Sequence, residues 1–468
     1  MTTNTIYTIT QAEMDRQAQY MRLFGTLEKR PRTYCIVTYG CQMNAHDSEK
    51  LAGMLEEMGL TEAPREEADF VLHNTCCIRD NAERKALGNV IWLKELKKDR
   101  PDMLIGVCGC MVQEQGKAES ILRQYPFIDI AFGTGTLHKL PELLYEAVTR
   151  RQRMIEVDED QNTIAEGLPI RRTNPWQAYV TVMYGCNNFC TYCIVPYVRG
   201  RERSRQPDEI LREVDALVKA GVQEVMLLGQ NVNSYGRVPE TGLDFAGLLR
   251  RVSETGIPRI RFMTSHPKDL SDALIEEIGR NPRVMGHFHL PAQSGNDRIL
   301  QAMNRHYTVD QYMERAEKLR RARPDIGLTT DLIVGFPGET EAEFQDTLAL
   351  VERMRFDSAF TFIYSPRVGT KAAEYPDQVP AEVSTDRITR LIAAQDRQTE
   401  RVLNSMIGQT VNVLVTDTSR RDTSMLTGKC ERNISVNFTG SPEDMGRIVP
   451  VRITAASRTT LKGEPEER

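Results

Sequence analysis

No apolar run in this 468-residue chain approaches the roughly 18 residues that a membrane-spanning helix needs. Residues 1–30 also lack the apolar centre of a secretion signal and carry Glu13, Asp15 and Glu28 instead. A cytoplasmic protein with no membrane partner is expected. An excess of one charge is missing as well: 60 Lys+Arg face 65 Asp+Glu, a net charge of -5. Any polyanion must then be held by a local basic patch rather than by the overall field. Cysteine, with ten residues, is too sparse for a disulfide scaffold, yet nine of the ten fall between Cys35 and Cys193 and only Cys430 lies beyond. That skew points to metal or redox chemistry in a reducing compartment. Low-complexity tracts are absent too. What is present, 40% hydrophobic and 27% charged residues, describes a folded protein of about three domains.

The first third repeats one pattern, a β-rich apolar run followed at once by a cysteine. The runs are 34–40 before Cys41, 70–74 before Cys76 and 103–109 before Cys110, with helical patterns at 47–58 and 81–98 between them. The cysteines are spaced 35 and 34 residues apart, about one βαβ unit. Right-handed crossovers place successive strands parallel, so the three thiols are predicted to converge at one carboxyl edge of a sheet. Residues 151–174 read as a linker. Six strand candidates follow at 179–183, 224–229, 259–264, 286–290, 327–334 and 359–364, alternating with helices such as 207–220 and 341–353. They suggest an open, partial (β/α)6 barrel with its chemistry at the carboxyl ends of the strands. A charged helix at 385–404 then leads to β-rich segments at 410–416, 424–430, 434–439 and 447–456, a small β-barrel. The fold class is α/β, with the chain divided at 31–150, 172–403 and 404–466.

The sharpest motif is Cys186-Asn187-Asn188-Phe189-Cys190-Thr191-Tyr192-Cys193, placed just after the first strand of the barrel region. Three thiolates in one loop can ligate three irons of a cubane cluster and leave the fourth open to a chelating ligand. A zinc site would want a fourth ligand, and no further Cys or His is near in sequence. A thioredoxin-like reading of Cys190 and Cys193 leaves Cys186 unused. Cys41, Cys76 and Cys110 form a second candidate triad, with Cys77 and Cys108 as the adjacent thiols most easily confused with them. Cys35 reads as core and Cys430 as structural. His266, His287 and His289 show no ligand spacing and read as packing or hydrogen-bonding groups.

These words carry a resemblance to the radical SAM methylthiotransferase family. It rests on Thr38-Tyr39-Gly40-Cys41-Gln42-Met43-Asn44, Asn74-Thr75-Cys76 and Gly109-Cys110, and on 184–197 with Arg199-Gly200. It continues through Leu228–Gly236, His289–Gly295 and Gly335–Thr340. The resemblance implies two 4Fe–4S clusters, an auxiliary one on Cys41, Cys76 and Cys110 and a radical-generating one on Cys186, Cys190 and Cys193. It implies S-adenosyl-L-methionine as cofactor, with Tyr192 beside its adenine and Gly229, Gln230, Asn231, Gln293 and Ser294 as candidate contacts. The bland reading of those five is loop turns and helix caps. No side chain is assigned a catalytic role, because the clusters and S-adenosylmethionine carry the chemistry. The last segment is similar to the RNA-binding TRAM barrel of the same family.

Gly-Cys-Gln-Met-Asn at 40–44 and Gly-Gln-Asn-Val-Asn at 229–233 resemble the branch that methylthiolates C2 of N6-isopentenyladenosine at position 37 of tRNA. The alternatives are branches acting on threonylcarbamoyl-adenosine of tRNA or on a ribosomal-protein side chain, and a non-catalytic iron–sulfur RNA-binding module. The resemblance further implies the tRNA anticodon stem-loop as partner, an electron donor such as a flavodoxin or ferredoxin, a sulfur donor, and a monomer. Arg199, Arg201, Arg203 and Arg205 are either a solvated face or a track for RNA phosphates, and the resemblance favours RNA.

Overall fold

A computed structural model describes residues 7–77, 80–158, 161–238 and 241–466. The chain forms two compact units. One comprises Met1–Thr173, Met183–Asn187 and Cys193–Arg205, and the other Asn174–Val182, Asn188–Tyr192 and Gln206–Arg468. Among the described residues no helix is long and apolar enough to cross a membrane.

The first unit is built on a six-stranded, all-parallel sheet. Its strands run in the order Thr61–Glu62, Thr33–Thr38, Phe70–Thr75, Leu104–Gly109, Ile130–Phe132 and Met154–Glu156. Every residue of Phe70–Thr75 is buried, as expected for a central parallel strand covered on both faces. The segment 151–174 is therefore more than a linker: Met154–Glu156 closes the sheet, and Thr163–Ile164 pairs with Tyr7–Thr8. Its polar composition hides these strands because both are short edge pieces needing few apolar residues. The helix Gln11–Thr26 buries Phe24, and its Gln17 amide donates to Glu142 of the helix Leu140–Arg150 at 3.1 Å.

The second unit holds the partial barrel. Gln177–Thr181, Glu224–Leu228 and Arg259–Phe262 form one parallel sheet, and His287–His289, Gly327–Val334 and Ser358–Ile363 form another. A parallel bridge between Ile260 and Val284 links the two halves, so all six expected strands are present. The helix Ala381–Ser405 leads to a closed barrel of Thr410–Thr418, Met425–Lys429, Ser435–Thr439, Ile448–Ala456 and Thr460–Pro465. The fifth of these strands escapes the sequence reading because only Leu461 and Gly463 point inward from a segment otherwise exposed or half-buried.

The small barrel is fastened to the amino ends of the large barrel's strands. Arg261 donates to Glu224 at 2.8 Å and to the carbonyls of Cys430 and Glu431 at 2.6 and 3.0 Å. Arg259 reaches the Lys429 carbonyl at 3.2 Å, and Arg432 forks onto Asp357 at 2.9 and 2.6 Å. This leaves the carboxyl ends of the strands uncovered by the small barrel. Replacing Arg261 with Ala strips two buried carbonyls of a donor and leaves the buried Glu224 carboxylate under-paired. It should cost about 3–5 kcal/mol, read as a lower urea midpoint for the transition that unfolds this unit.

Candidate metal centres

In the first unit, Cys76 and Cys110 each follow directly on the last residue of adjacent parallel strands, and Cys41 follows three residues after a third. Glycines let the three loops approach. Gly40 has φ +104, and a Cβ there would stand 2.5 Å from Cys76 Cβ and 2.7 Å from its Sγ. Gly109 has φ +97, and a Cβ there would stand 2.4 Å from the Thr75 carbonyl. Cys41 is the N-cap residue of the helix Gln42–Glu57 but makes no side-chain cap, so its thiol stands at the positive end of the helix dipole.

Asn44, fully buried, ties these loops together. Its amide donates to the carbonyls of Tyr39 at 2.8 Å and Thr75 at 2.9 Å, and its Oδ1 accepts from Cys110 Sγ at 3.8 Å. Asn74 supports it from below, donating to the Asn44 carbonyl at 2.9 Å and to Ser48 at 3.0 Å. A hydrogen bond from Cys77 holds the Cys110 thiol down, to about 6, with the Arg199 charge helping and burial opposing. The same bond, then burial, pushes Cys77 up. Cys108 is pushed up by burial in the core beside Leu72 and Phe132.

Among the described residues no three His, Cys, Asp or Glu side chains are gathered tightly enough to hold one metal ion. A cubane asks for something else: each thiolate takes a different iron, so the ligands stand apart around a cavity. Three thiols on glycine-relieved loops at one sheet edge, with one depressed thiol and one helix terminus, fit that demand.

The second motif is held at several points. In the first unit, Gly185 has φ +72 against the Arg201 carbonyl, and the Cys186 amide donates to the Gly200 carbonyl at 3.1 Å. Asn187 and Glu202 exchange backbone-to-side-chain bonds at 3.2 Å each. In the second unit, Phe189 sits at φ +46, and the Asn304 amide caps the carbonyls of Asn188 and Phe189 at 3.1 and 3.0 Å. Buried Arg305 donates to Cys190 Sγ at 3.4 Å and to the Pro291 carbonyl at 3.0 Å. A cation against the sulfur suits a thiolate ligand. Neither Asn304 nor Arg305 is singled out by the sequence, because both lie in an unremarkable turn far along the chain from the cysteines.

Gly229, Gln230 and Asn231 follow the strand Glu224–Leu228 at its carboxyl end. Asn231 donates to Asp269 at 2.8 Å, while its buried Oδ1 has no hydrogen-bond partner among the described residues and can accept from a ligand. Gln293 has φ +69 and bridges Leu332, and Tyr192 packs against the cluster of Ile299, Phe336 and Tyr364. The buried Ser294 hydroxyl accepts from the Asn296 amide at 3.2 Å. His287 and His289 both bond Thr329, at 2.9 and 3.0 Å.

The arginine series is corrected too. Arg199, Arg203 and Arg205 are buried, and of the four only Arg201 is exposed. A short helix, Val195–Val198, and a turn at Gly200 (φ +73) break the extended spacing that would have put all four on one face. Arg203 donates to the carbonyls of Arg199 and Arg201 at 3.2 and 3.0 Å, and burial lowers it to about 10. Arg205 forks onto Glu166 at 2.7 and 2.6 Å. Three of the four cations are thus engaged inside the protein and form no open phosphate track.

Comparison with known proteins follows the same divisions. Residues 33–133 match the uncharacterized protein family UPF0004, residues 180–351 the radical SAM superfamily and residues 404–465 the TRAM domain. The tRNA-2-methylthio-N(6)-dimethylallyladenosine synthase of Caldicellulosiruptor saccharolyticus is 52% identical over 435 residues, 92% of either chain. This chain belongs to that family of radical SAM enzymes. The family's member from Acetivibrio thermocellus is 48% identical over 464 residues, 97% of either chain. Among solved structures, a radical S-adenosylmethionine methyltransferase from Kitasatospora setae with cobalamin and a 4Fe–4S cluster bound superimposes with a TM-score of 0.52. It is 13% identical and covers 73% of this chain and 77% of its own, a likeness of fold.

Proposed function

We propose that this chain methylthiolates C2 of N6-isopentenyladenosine at position 37 of tRNA, using S-adenosylmethionine and two 4Fe–4S clusters. The observation that carries the reading is the pairing of two separate thiol triads with near-half identity to synthases of that name over almost the whole chain. The C2 hydrogen is not acidic, so no general base can remove it and radical activation is required. When bound, the clusters supply the electron that opens S-adenosylmethionine and the sulfur that is transferred. The protein's own part is positional. Gly40 and Gly109 let the auxiliary loops close up, Asn44 fixes their carbonyls, and Arg305 with Asn304 fixes the loop around Cys190. The small barrel exposes Arg420, Arg421, Arg447, Arg452 and Lys462, candidate contacts for RNA phosphates interspersed with exposed acidic residues. An external one-electron reductant such as a flavodoxin or ferredoxin, and a sulfur donor, complete the requirement.

The test is anaerobic reconstitution with iron and sulfide, followed by iron counting and mass spectrometry of nucleosides from the treated tRNA. Two four-iron clusters per chain and a methylthio adduct on isopentenyladenosine are expected. Cys76→Ala should stop methylthio transfer yet leave uncoupled cleavage of S-adenosylmethionine, while Cys77→Ala should be mild. The reverse order would assign the ligand to the wrong one of two adjacent thiols.

A further inference from the structure

Arg199 presents a cation where a solvated or RNA-facing arginine is not found. It is 5% exposed, and its Nε donates to Cys110 Sγ at 3.2 Å. The same guanidinium donates to Asn44 Oδ1 at 2.7 Å and lies 2.8 Å from Asp47 Oδ2. Burying a guanidinium costs several kcal/mol unless a counter-charge is buried with it. Asp47, equally buried, is that counter-charge, so the pair is neutral and the Nε–H remains aimed at sulfur. The position is built rather than incidental. Ile194 and Val198 belong to the core of the sheet, the Arg199 amide closes on the Val195 carbonyl at 2.8 Å, and Thr134 donates to the Val198 carbonyl at 2.7 Å. Through Asn44 the same network reaches the residues just before Cys41 and Cys76.

We propose that Arg199 is a positioning residue of the auxiliary centre, donating to the Cys110 sulfur and setting the reduction potential of the cluster held there. This rests on the two-cluster reading above. A hydrogen bond to a ligating sulfur withdraws electron density from the cluster and makes it easier to reduce. Arg199 is also the sixth residue after Cys193, so the chain that carries the radical-generating loop ends on a ligand of the other centre.

The test uses the full chain with Cys186, Cys190 and Cys193 changed to Ala, so that only the auxiliary thiols remain. After reconstitution, the midpoint potential is followed by electron paramagnetic resonance. Arg199→Gln should load iron as its parent does, with the midpoint displaced to more negative potential, and Arg199→Lys should recover part of the displacement. Because Arg199→Gln leaves Asp47 unpaired, Asp47→Asn/Arg199→Met provides a charge-neutral counterpart in which a smaller displacement of the same sign is expected. Iron loss with the fold intact by circular dichroism would overturn the potential-setting role and make Arg199 a residue needed to hold the cluster at all. An unchanged potential overturns it, as does a shallower salt dependence of tRNA binding with the potential unmoved. Unfolding of both variants would make Arg199 purely structural. If the parent takes up no iron, the two-cluster reading itself fails, which is a distinct result.

Discussion

On the two-cluster reading, Cys186→Ala should abolish 5′-deoxyadenosine formation under reductant while the protein keeps the cluster of the other thiol triad. Cys186 and Cys190 have their own supports, the Gly200 carbonyl for Cys186 and the Asn304 and Arg305 side chains around Cys190. The auxiliary thiols have separate ones, at Gly40, Gly109 and Asn44. Removing one thiolate from a three-thiolate cubane leaves two irons without protein ligands, which is too few to hold the cluster against solvent and chelators. Iron content should fall by half and nucleoside cleavage to background, because on this reading the 186–193 thiols hold the cluster that binds S-adenosylmethionine and passes it the electron. Intact cleavage, or loss of both clusters together, would sink the assignment of two independent triads. The same assay separates an enzyme from an iron–sulfur module that merely holds RNA, since only the former yields 5′-deoxyadenosine.

The placing of Cys41, Cys76 and Cys110 at one sheet edge was legible in the sequence because each follows an apolar strand, and two of them a glycine, a local pattern with a local cause. The parallel direction of those strands followed from the same alternation. Burial of charge was not legible. The helix Gln42–Glu57 buries Asn44, His46, Asp47, Ser48, Glu49 and Lys50, a run that composition reads as solvated. Arg199 likewise looks like one of four alternating surface cations until Asp47, far away in the chain, is placed beside it. Polar networks depend on partners that periodicity cannot name, whereas strands depend on neighbours that it can. The short strands at 154–156 and 460–465 were missed for a third reason: an edge strand of a sheet, or a small-barrel strand with one face to solvent, needs few apolar side chains.

The substrate separates the branches of the family most sharply. Reconstituted enzyme should methylthiolate tRNA that carries the isopentenyl group, and turn over the same tRNA lacking it at least about 100-fold less efficiently in kcat/KM. One methylene in an apolar pocket is worth about 10-fold or more, and here a five-carbon group is removed at once. Position 37 lies beside the anticodon, where a base can be splayed from its stack and presented, and RNA is usually read in such loops. The carboxyl ends of the large barrel's strands are uncovered by the small barrel, and Arg420, Arg421, Arg447, Arg452 and Lys462 on the small barrel's surface are available to the backbone. Arg201→Glu, at the one exposed member of its series, should weaken tRNA binding without altering cluster content, whereas Arg203 and Arg205 are excluded from this test because their substitution disturbs the interior. Equal turnover of both tRNAs would remove the isopentenyl group from recognition and refute the proposed substrate. Turnover of neither, beside activity on a ribosomal protein or on threonylcarbamoyl-adenosine, would move the chain to another branch with its two centres unchanged.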